Sequence, residues 1–265
     1  MRTTKLIAAM LLLLPLLAWG QQSSEEVETA FLSRTALSLD WKVAKGLHVE
    51  AGYEMRTADN FSRVERNQFS AGIQYSPLRW LDIGGGYCFI GHYDSELTLK
   101  PRHRAWLDLG GFYRFGAWKL SLRERVQLTC KAYDFNLYQQ TPNLVELKSR
   151  LKLAYKGFIH LEPYAYVELR NCFNGPSFTA DYNASAGRYS HYQFSGYTDA
   201  YINRLRCALG LEWKISRHHA IDLRLMTDGC RDKSIDTNAE GTKLKSYTWE
   251  PAQNTTLALG YQFAF

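Results

Sequence analysis

From Leu37 onward, apolar and polar side chains take turns along the chain. Leu37, Leu39, Trp41 and Val43 alternate with Ser38, Asp40 and Lys42. After Lys45-Gly46 the alternation resumes through Leu47, Val49, Ala51, Tyr53 and Met55, with His48, Glu50, Glu54 and Arg56 between them. Successive side chains of a strand point to opposite faces, so each stretch predicts a strand with one apolar and one polar face. The pattern recurs to the end. "FSAGIQY" runs to a turn at Ser76-Pro77-Leu78-Arg79 and "WLDIGGGYCF" returns, while "AWLDLGGFYRF" turns at Gly116-Ala117 into "WKLSLRERVQL". "VELKSRLKLAY" turns at Lys156-Gly157 into "FIHLEPYAYVELR", and "YINRLRCALGLEWKI" turns near Ser216-Arg217 into "AIDLRLM". The last eleven residues, "TTLALGYQFAF", put Leu257, Leu259, Tyr261, Phe263 and Phe265 on one face. The reading is about eleven strands, with longer polar loops near 57–63, 92–103, 131–144, 173–198 and 229–252.

The polar face decides the architecture. It carries Asp40, Lys42, Glu50, Glu54, Arg56, Asp82, Asp108, Arg114, Arg123, Arg125, Lys148, Arg150, Lys152, Glu162, Glu168, Arg170, Arg204, Arg206, Glu212, Lys214, Asp222 and Arg224, too many charges for a protein core. In a soluble sandwich this face would meet water. In a membrane barrel it lines a wet lumen, and the apolar face meets lipid. Trp41, Trp80, Trp118 and Trp213 all lie within a few residues of a tight turn, as an interfacial aromatic girdle requires. The expected fold is therefore all-β: an antiparallel transmembrane β-barrel of about 10–12 strands, with short periplasmic turns and long external loops. Barrels of this kind have even strand numbers. An odd count implies a missed strand within residues 21–33, passage of those residues through the lumen, or one long strand split in two.

Composition and the N-terminus agree with an exported membrane protein. Aromatic residues make up 14% of the chain, with 17 Tyr and 7 Trp, and mean hydropathy is −0.34. Arg2 and Lys5 precede an apolar run from Leu6 to Leu17, followed by Ala18-Trp19-Gly20. This predicts a signal peptide over residues 1–20, a segment of uncertain structure over 21–33, and a barrel over 34–265. The net charge of +6 is spread among acids, so no nucleic-acid partner is expected. Cys88, Cys130, Cys172, Cys207 and Cys230 are odd in number and widely spaced, which gives no disulfide framework.

Candidate chemistry is sparse. His191, Ser195 and Asp199 share the longest loop but match no compact hydrolase motif, so no catalytic residue is expected. His48 with Glu50 and His160 with Glu162 each follow a Lys-Gly turn. Their spacing can seat a metal, but salt bridging by the carboxylates is the simpler reading, and no cofactor or metal is expected. His218 and His219 point to opposite faces. The informative feature is a basic stripe of Arg123, Arg125, Lys148, Arg150 and Lys152. A symmetric hairpin puts Arg125 opposite Arg150 and Arg123 opposite Lys152, with Asp108 relieving Arg125 and Glu162 relieving Lys152. Arg123, Lys148 and Arg150 are then left without an acid. Such a stripe lowers the barrier for anions in a pore.

Two resemblances add to this. The terminal strand resembles the C-terminal targeting strand of Gram-negative outer-membrane proteins. Tyr261, Phe263 and Phe265 stand at the matching positions, which implies the outer membrane as location and the barrel-assembly machinery as partner. The segments "AGYEMRTADNFSRVERNQFSAGIQYSPLRWLDIGGGYCFI", "RHRAWLDL", "KLSLRERVQL" and "LKSRLKLAYKGFIHLEPYAYVEL" resemble the outer-membrane barrel family domain of unknown function 2490. That resemblance implies fold and location and carries no activity. The expected function is a passive channel or narrow porin for small anionic solutes, embedded in outer-membrane lipid. A plugged, non-transporting barrel is the alternative, and an outer-membrane hydrolase the third reading.

Overall fold

The computed structural model describes residues 28–265, so the expected signal peptide and residues 21–27 lie outside the described residues. Eleven strands follow one another: β1 (Glu28–Ala44), β2 (Leu47–Ala58), β3 (Arg63–Leu78), β4 (Leu81–Tyr93), β5 (Leu99–Phe115), β6 (Trp118–Lys131), β7 (Asn143–Tyr155), β8 (Leu161–Asn183), β9 (Arg188–Lys214), β10 (His219–Thr237) and β11 (Leu244–Ala264). Each pairs with its sequence neighbours, and β1 pairs with β11 to close a barrel. Residues 28–33 belong to β1 rather than to a separate strand.

The closure corrects the all-antiparallel expectation. Hairpin-connected strands reverse direction at each turn, so with an odd number the first and last point the same way. The β1–β11 seam is accordingly parallel, running from Glu28 opposite Ala252 to Asp40 opposite Ala264. The other neighbouring pairs are antiparallel. The backbone N–H of Phe265 donates to the carbonyl of Asp40 at 2.8 Å, extending the seam to the last residue.

The outer surface is apolar around the whole wall. Leu107 is 70% exposed, and Leu37, Ile73, Leu122, Leu151 and Leu259 are all exposed. A continuous apolar surface of this size has no place in water, and in lipid it is the spanning belt of a transmembrane barrel. Trp41, Trp80 and Trp213 are exposed at the tight-turn rim, and Trp118 packs edge-on against Tyr155 there. At the other rim Phe31 packs against Phe61, and midway along β4 Tyr87 stacks on His103.

Two expected loops are largely strand. β8 and β9 continue through most of 173–198 and turn at 184–187, and β10 and β11 turn between Thr237 and Leu244. These four strands, of 23, 27, 19 and 21 residues, rise above the rest as a tall arm. Aromatic pairs such as Phe178–Tyr247 and Tyr201–Trp249 fasten the arm. The β6–β7 loop folds onto it: Asn136 Nδ2 donates to Thr237 Oγ1 (3.2 Å), Gln139 Nε2 to Asp236 Oδ1 (3.0 Å), and Tyr197 OH to the carbonyl of Leu137 (2.7 Å).

Candidate functional site

The even-numbered side chains of β2 to β5 and β7, those of the inner half of β8, and the odd-numbered ones of β6 turn inward, and their charges meet at mid-height. A cavity of about 180 Å³ opens there. Eight cationic side chains line it: Arg34, Arg56, Arg66, Arg104, Lys148, Arg170, Arg204 and Arg206. Among the described residues only three carboxylates do so, Glu65, Glu168 and Asp228. Those carboxylates are shared among several cations. Glu168 contacts Arg150 at 2.6 Å, Arg123 at 3.3 Å and Arg206 at 3.5 Å. Asp228 takes a two-pronged contact from Arg206 (2.6 and 2.7 Å) and a longer one from Arg204 (3.4 Å). Glu65 is held by Arg66 at 3.0 Å. Glu146, just beyond the cavity, holds Arg170 at 3.1 Å and accepts a hydrogen bond from Gln127. Glu146, Glu168 and Asp228 are all buried.

The basic stripe is present, in a register two residues from the expected one. Arg123 lies opposite Arg150, Arg125 opposite Lys148, and Ser121 opposite Lys152. The β6–β7 hairpin is not symmetric about its loop, which shifts every pair. Asp108 does relieve Arg125, with contacts of 2.7 and 2.5 Å. Glu162 does not reach Lys152; it takes Lys156 and Lys214. Lys152 instead sits 3.7 Å from the Tyr164 ring centre, and Arg150 lies 4.3 Å from that of Tyr166. Cations above ring faces are stabilised by the ring quadrupole, so these two tyrosines take part of the role expected of acids. Arg123 and Arg150 do find a carboxylate, the shared Glu168, contrary to expectation. Lys148 has no ion-pair partner among the described residues, as the sequence implied.

Arg34, Arg66 and Arg104 were absent from the stripe. Arg34 precedes the clearest alternation of β1, and Arg66 and Arg104 lie near the outer ends of their strands. Period-two spacing, of Arg34 with Ser38 and Asp40, of Arg66 with Gln68 and of Arg104 with Trp106, is the signal that could have found them.

Below the cavity, toward the tight turns, lies a second one of about 360 Å³ against β2 to β6. Its charged lining is balanced, with Glu50, Asp82 and Asp108 beside Lys119, Arg123 and Arg125. The wall of β3 and β4 is thin there because Gly72 and Gly86 carry no side chains. A Cβ on Gly86 would come within 2.5 Å of the Trp106 ring, so the glycine makes room for an indole lying against the wall. Arg125 stands 5.1 Å from that indole's centre. Opposite, Tyr164, Tyr166, Met226, Ala154, Ala208 and Ala258 fill the lumen as a small core.

The other candidates disperse. Asp199 is ion-paired with Lys233, and no hydrogen bond joins His191, Ser195 and Asp199. His48 bonds Asp40 (2.8 Å), while His160 lies in the turn before β8, so the two His-Glu pairs are not equivalent. His218 Nδ1 lies 2.7 Å from the carbonyl of Ala264, and His219 Nδ1 lies 2.5 Å from the Tyr261 hydroxyl. The five cysteines are free thiols. Phe263 packs on Phe265 with ring centres 4.6 Å apart, and Phe265 is 66% exposed at the tight-turn rim.

The chain belongs to the family described as protein of unknown function DUF2490, whose model matches residues 35–238. Among solved structures, it is similar to the anion-selective porin from Comamonas acidovorans, with 13% identity and a TM-score of 0.35, covering 82% of this chain and 54% of that one. It is also similar to the outer-membrane expressed OmpT of Vibrio cholerae, with 10% identity and a TM-score of 0.37, covering 78% of this chain and 59% of that one. The chain thus spans little more than half the length of each. No curated protein matches it.

Proposed function

We propose that this protein is a narrow passage for small anions across the outer membrane of a Gram-negative bacterium. The observation that supports this is the central cavity, where eight cationic groups stand against three carboxylates. In the low dielectric of a barrel interior, this surplus lowers the cost of bringing in a negative charge and raises it for a cation. The passage is tight. An eleven-stranded barrel lies between the filled eight-stranded and the open sixteen-stranded type, and the tyrosine core and the β6–β7 loop narrow it further. No step of the function requires a nucleophile, so the reading is non-enzymatic. Insertion into the membrane is assigned to the barrel-assembly machinery, with Tyr261, Phe263 and Phe265 as its recognition element.

A second reading, a sealed barrel acting through its external arm, is favoured by one observation. Glu146, Glu168 and Asp228 are buried at mid-height, as in a closed core. Single-channel recording in planar bilayers separates the two. The passage reading expects small unitary currents and a reversal potential of anionic sign in a salt gradient. Arg34→Gln with Arg104→Gln, which strips two cavity cations that hold no carboxylate, should move that potential toward zero. Complete absence of current would falsify the passage and leave the sealed barrel.

A further inference from the structure

The charge surplus at mid-height has a physical consequence. Guanidinium and ammonium groups packed together repel one another, and the repulsion is weakly screened away from bulk water. Ordinarily, acids from neighbouring strands cancel such a surplus. Here they are already committed, since Glu168 serves three arginines and Asp228 two. Two donor atoms on the cavity wall are left over: Arg66 Nε and Arg204 Nε are buried from solvent and have no hydrogen-bond partner among the described residues. A buried N–H on a charged group without an acceptor is costly, and native structures seldom leave one so.

We infer that the cavity is a binding site for one small polyvalent oxyanion of the phosphate and sulfate class, held among Arg34, Arg66, Arg104, Lys148 and Arg204. The inference rests on the anion-passage reading and names the ion that the passage holds. Size limits the ligand. With a water's share of volume at about 30 Å³, a cavity of about 180 Å³ admits one tetrahedral oxyanion and a few waters, and not a nucleotide or sugar phosphate chain. Geometry limits it as well. The planar fork of arginine matches two oxygens of one phosphate, and donors converging from several strands need an acceptor with oxygens on all sides. Chloride offers a single centre and cannot engage both walls. The donors come from β1, β3, β5, β7 and β9, so an ion at the centre ties together strands from around the whole barrel. A ligand that binds only the folded barrel also stabilises it.

The test uses the full-length mature barrel in detergent, where binding is read without any current. At constant ionic strength, chloride is replaced stepwise by inorganic phosphate, and the temperature at which the folded gel band converts to the unfolded one is recorded. Binding is measured in parallel by titration calorimetry. The expected result is a saturable rise of several degrees, matched by sulfate and not by chloride. Arg66→Gln with Arg204→Gln should weaken phosphate binding at least tenfold. A charge-matched control, Lys42→Gln with Arg114→Gln outside the cavity, should bind as the parent does. Absence of saturable binding by the parent, or equal weakening in both variants, overturns the site. If the arginine pair variant does not fold, competition decides on the parent protein: sulfate must displace phosphate, and failure to do so overturns the site. Anion current without saturable binding removes this inference alone. Saturable binding without current removes the passage and leaves the site standing.

Discussion

Glu124 is a carboxylate on the lipid face. It belongs to the outward series Leu120, Leu122, Glu124, Val126 and Leu128 of β6, about six residues above the tight turn and so near the middle of the apolar belt. Its misfit with that series is legible in "WKLSLRERVQL". Its partner is not, because the partner depends on register. Ser149 of β7 lies directly opposite and donates to Glu124 Oε2 at 2.5 Å. The same dependence explains the basic stripe: which residues face the lumen follows from alternation, but which acid each meets requires the pairing. Between β7 and β8 the expected register is off by four residues, since Lys152 meets Tyr166 and not Glu162. That error hid Glu168 opposite Arg150 and left Arg123 and Arg150 seemingly without an acid. Charged groups on the lipid face destabilise barrels, acids less than bases. Glu124→Leu should therefore stabilise the barrel in lipid vesicles by about 1–2 kcal/mol, read as a higher urea midpoint. Ser149→Ala should do the opposite by about 1 kcal/mol, because it leaves the carboxyl group without its donor. A drop in stability for Glu124→Leu would show that the pair holds the wall together.

At the scale of elements, strands with strict alternation were legible and strands with bulges were not. β2 to β7 follow their sequence segments closely. The outer half of β8 and β9 breaks period two repeatedly, with register shifts at Arg170/Asn171, Cys172/Gly175, Gly175/Ser177, Ser177/Phe178 and Thr179/Asp181. Gly175 and Pro176 read as a loop in sequence, but bulges absorb both within a continuous hairpin. β11 shows the reverse case, a regular strand whose proposed role as a targeting element goes beyond its fold. Phe265 is exposed at the rim with Phe263 half-buried against it, while the Phe265 backbone N–H closes the seam onto Asp40. Deleting Phe265 would remove both at once. Phe263→Ser with Phe265→Ser removes the rings and keeps the backbone bond, so it isolates recognition from closure. That variant should reach the outer membrane at a small fraction of the parent level, measured by fractionation. Once refolded from urea into detergent, it should match the parent's stability within about 1 kcal/mol. Parent-like levels in the membrane would sink the assignment of these rings as a targeting element.

For the whole molecule, the strand count was legible and the closure was not. Alternation and turns give eleven strands directly, but the rule of even numbers left a missed strand, a threaded segment or a wrongly split strand open. Nothing in a single strand announces its partner across a seam, because β1 and β11 lie at opposite ends of the chain and share no turn. The parallel seam follows from the count alone, and it makes a definite geometric demand. In a parallel pair, moving down one strand moves down the other, so Ser38 opposite Gln262 requires Ala36 opposite Gly260. An antiparallel seam through the same Ser38–Gln262 point would bring Ala36 to Ala264 instead. Cysteine pairs distinguish these arrangements in a background where the five native cysteines are replaced by serine. Ser38→Cys with Gln262→Cys, and Ala36→Cys with Gly260→Cys, should each form a disulfide under mild oxidation. Each link should change the migration of the denatured chain until reductant is added. Ala36→Cys with Ala264→Cys should not cross-link, since those positions are four residues out of parallel register. Cross-linking of that third pair in place of the second would require an even-stranded, wholly antiparallel barrel. It would also rotate β1 relative to β2 to β10, and so move Arg34 away from the cavity it lines with Arg206 and Lys148.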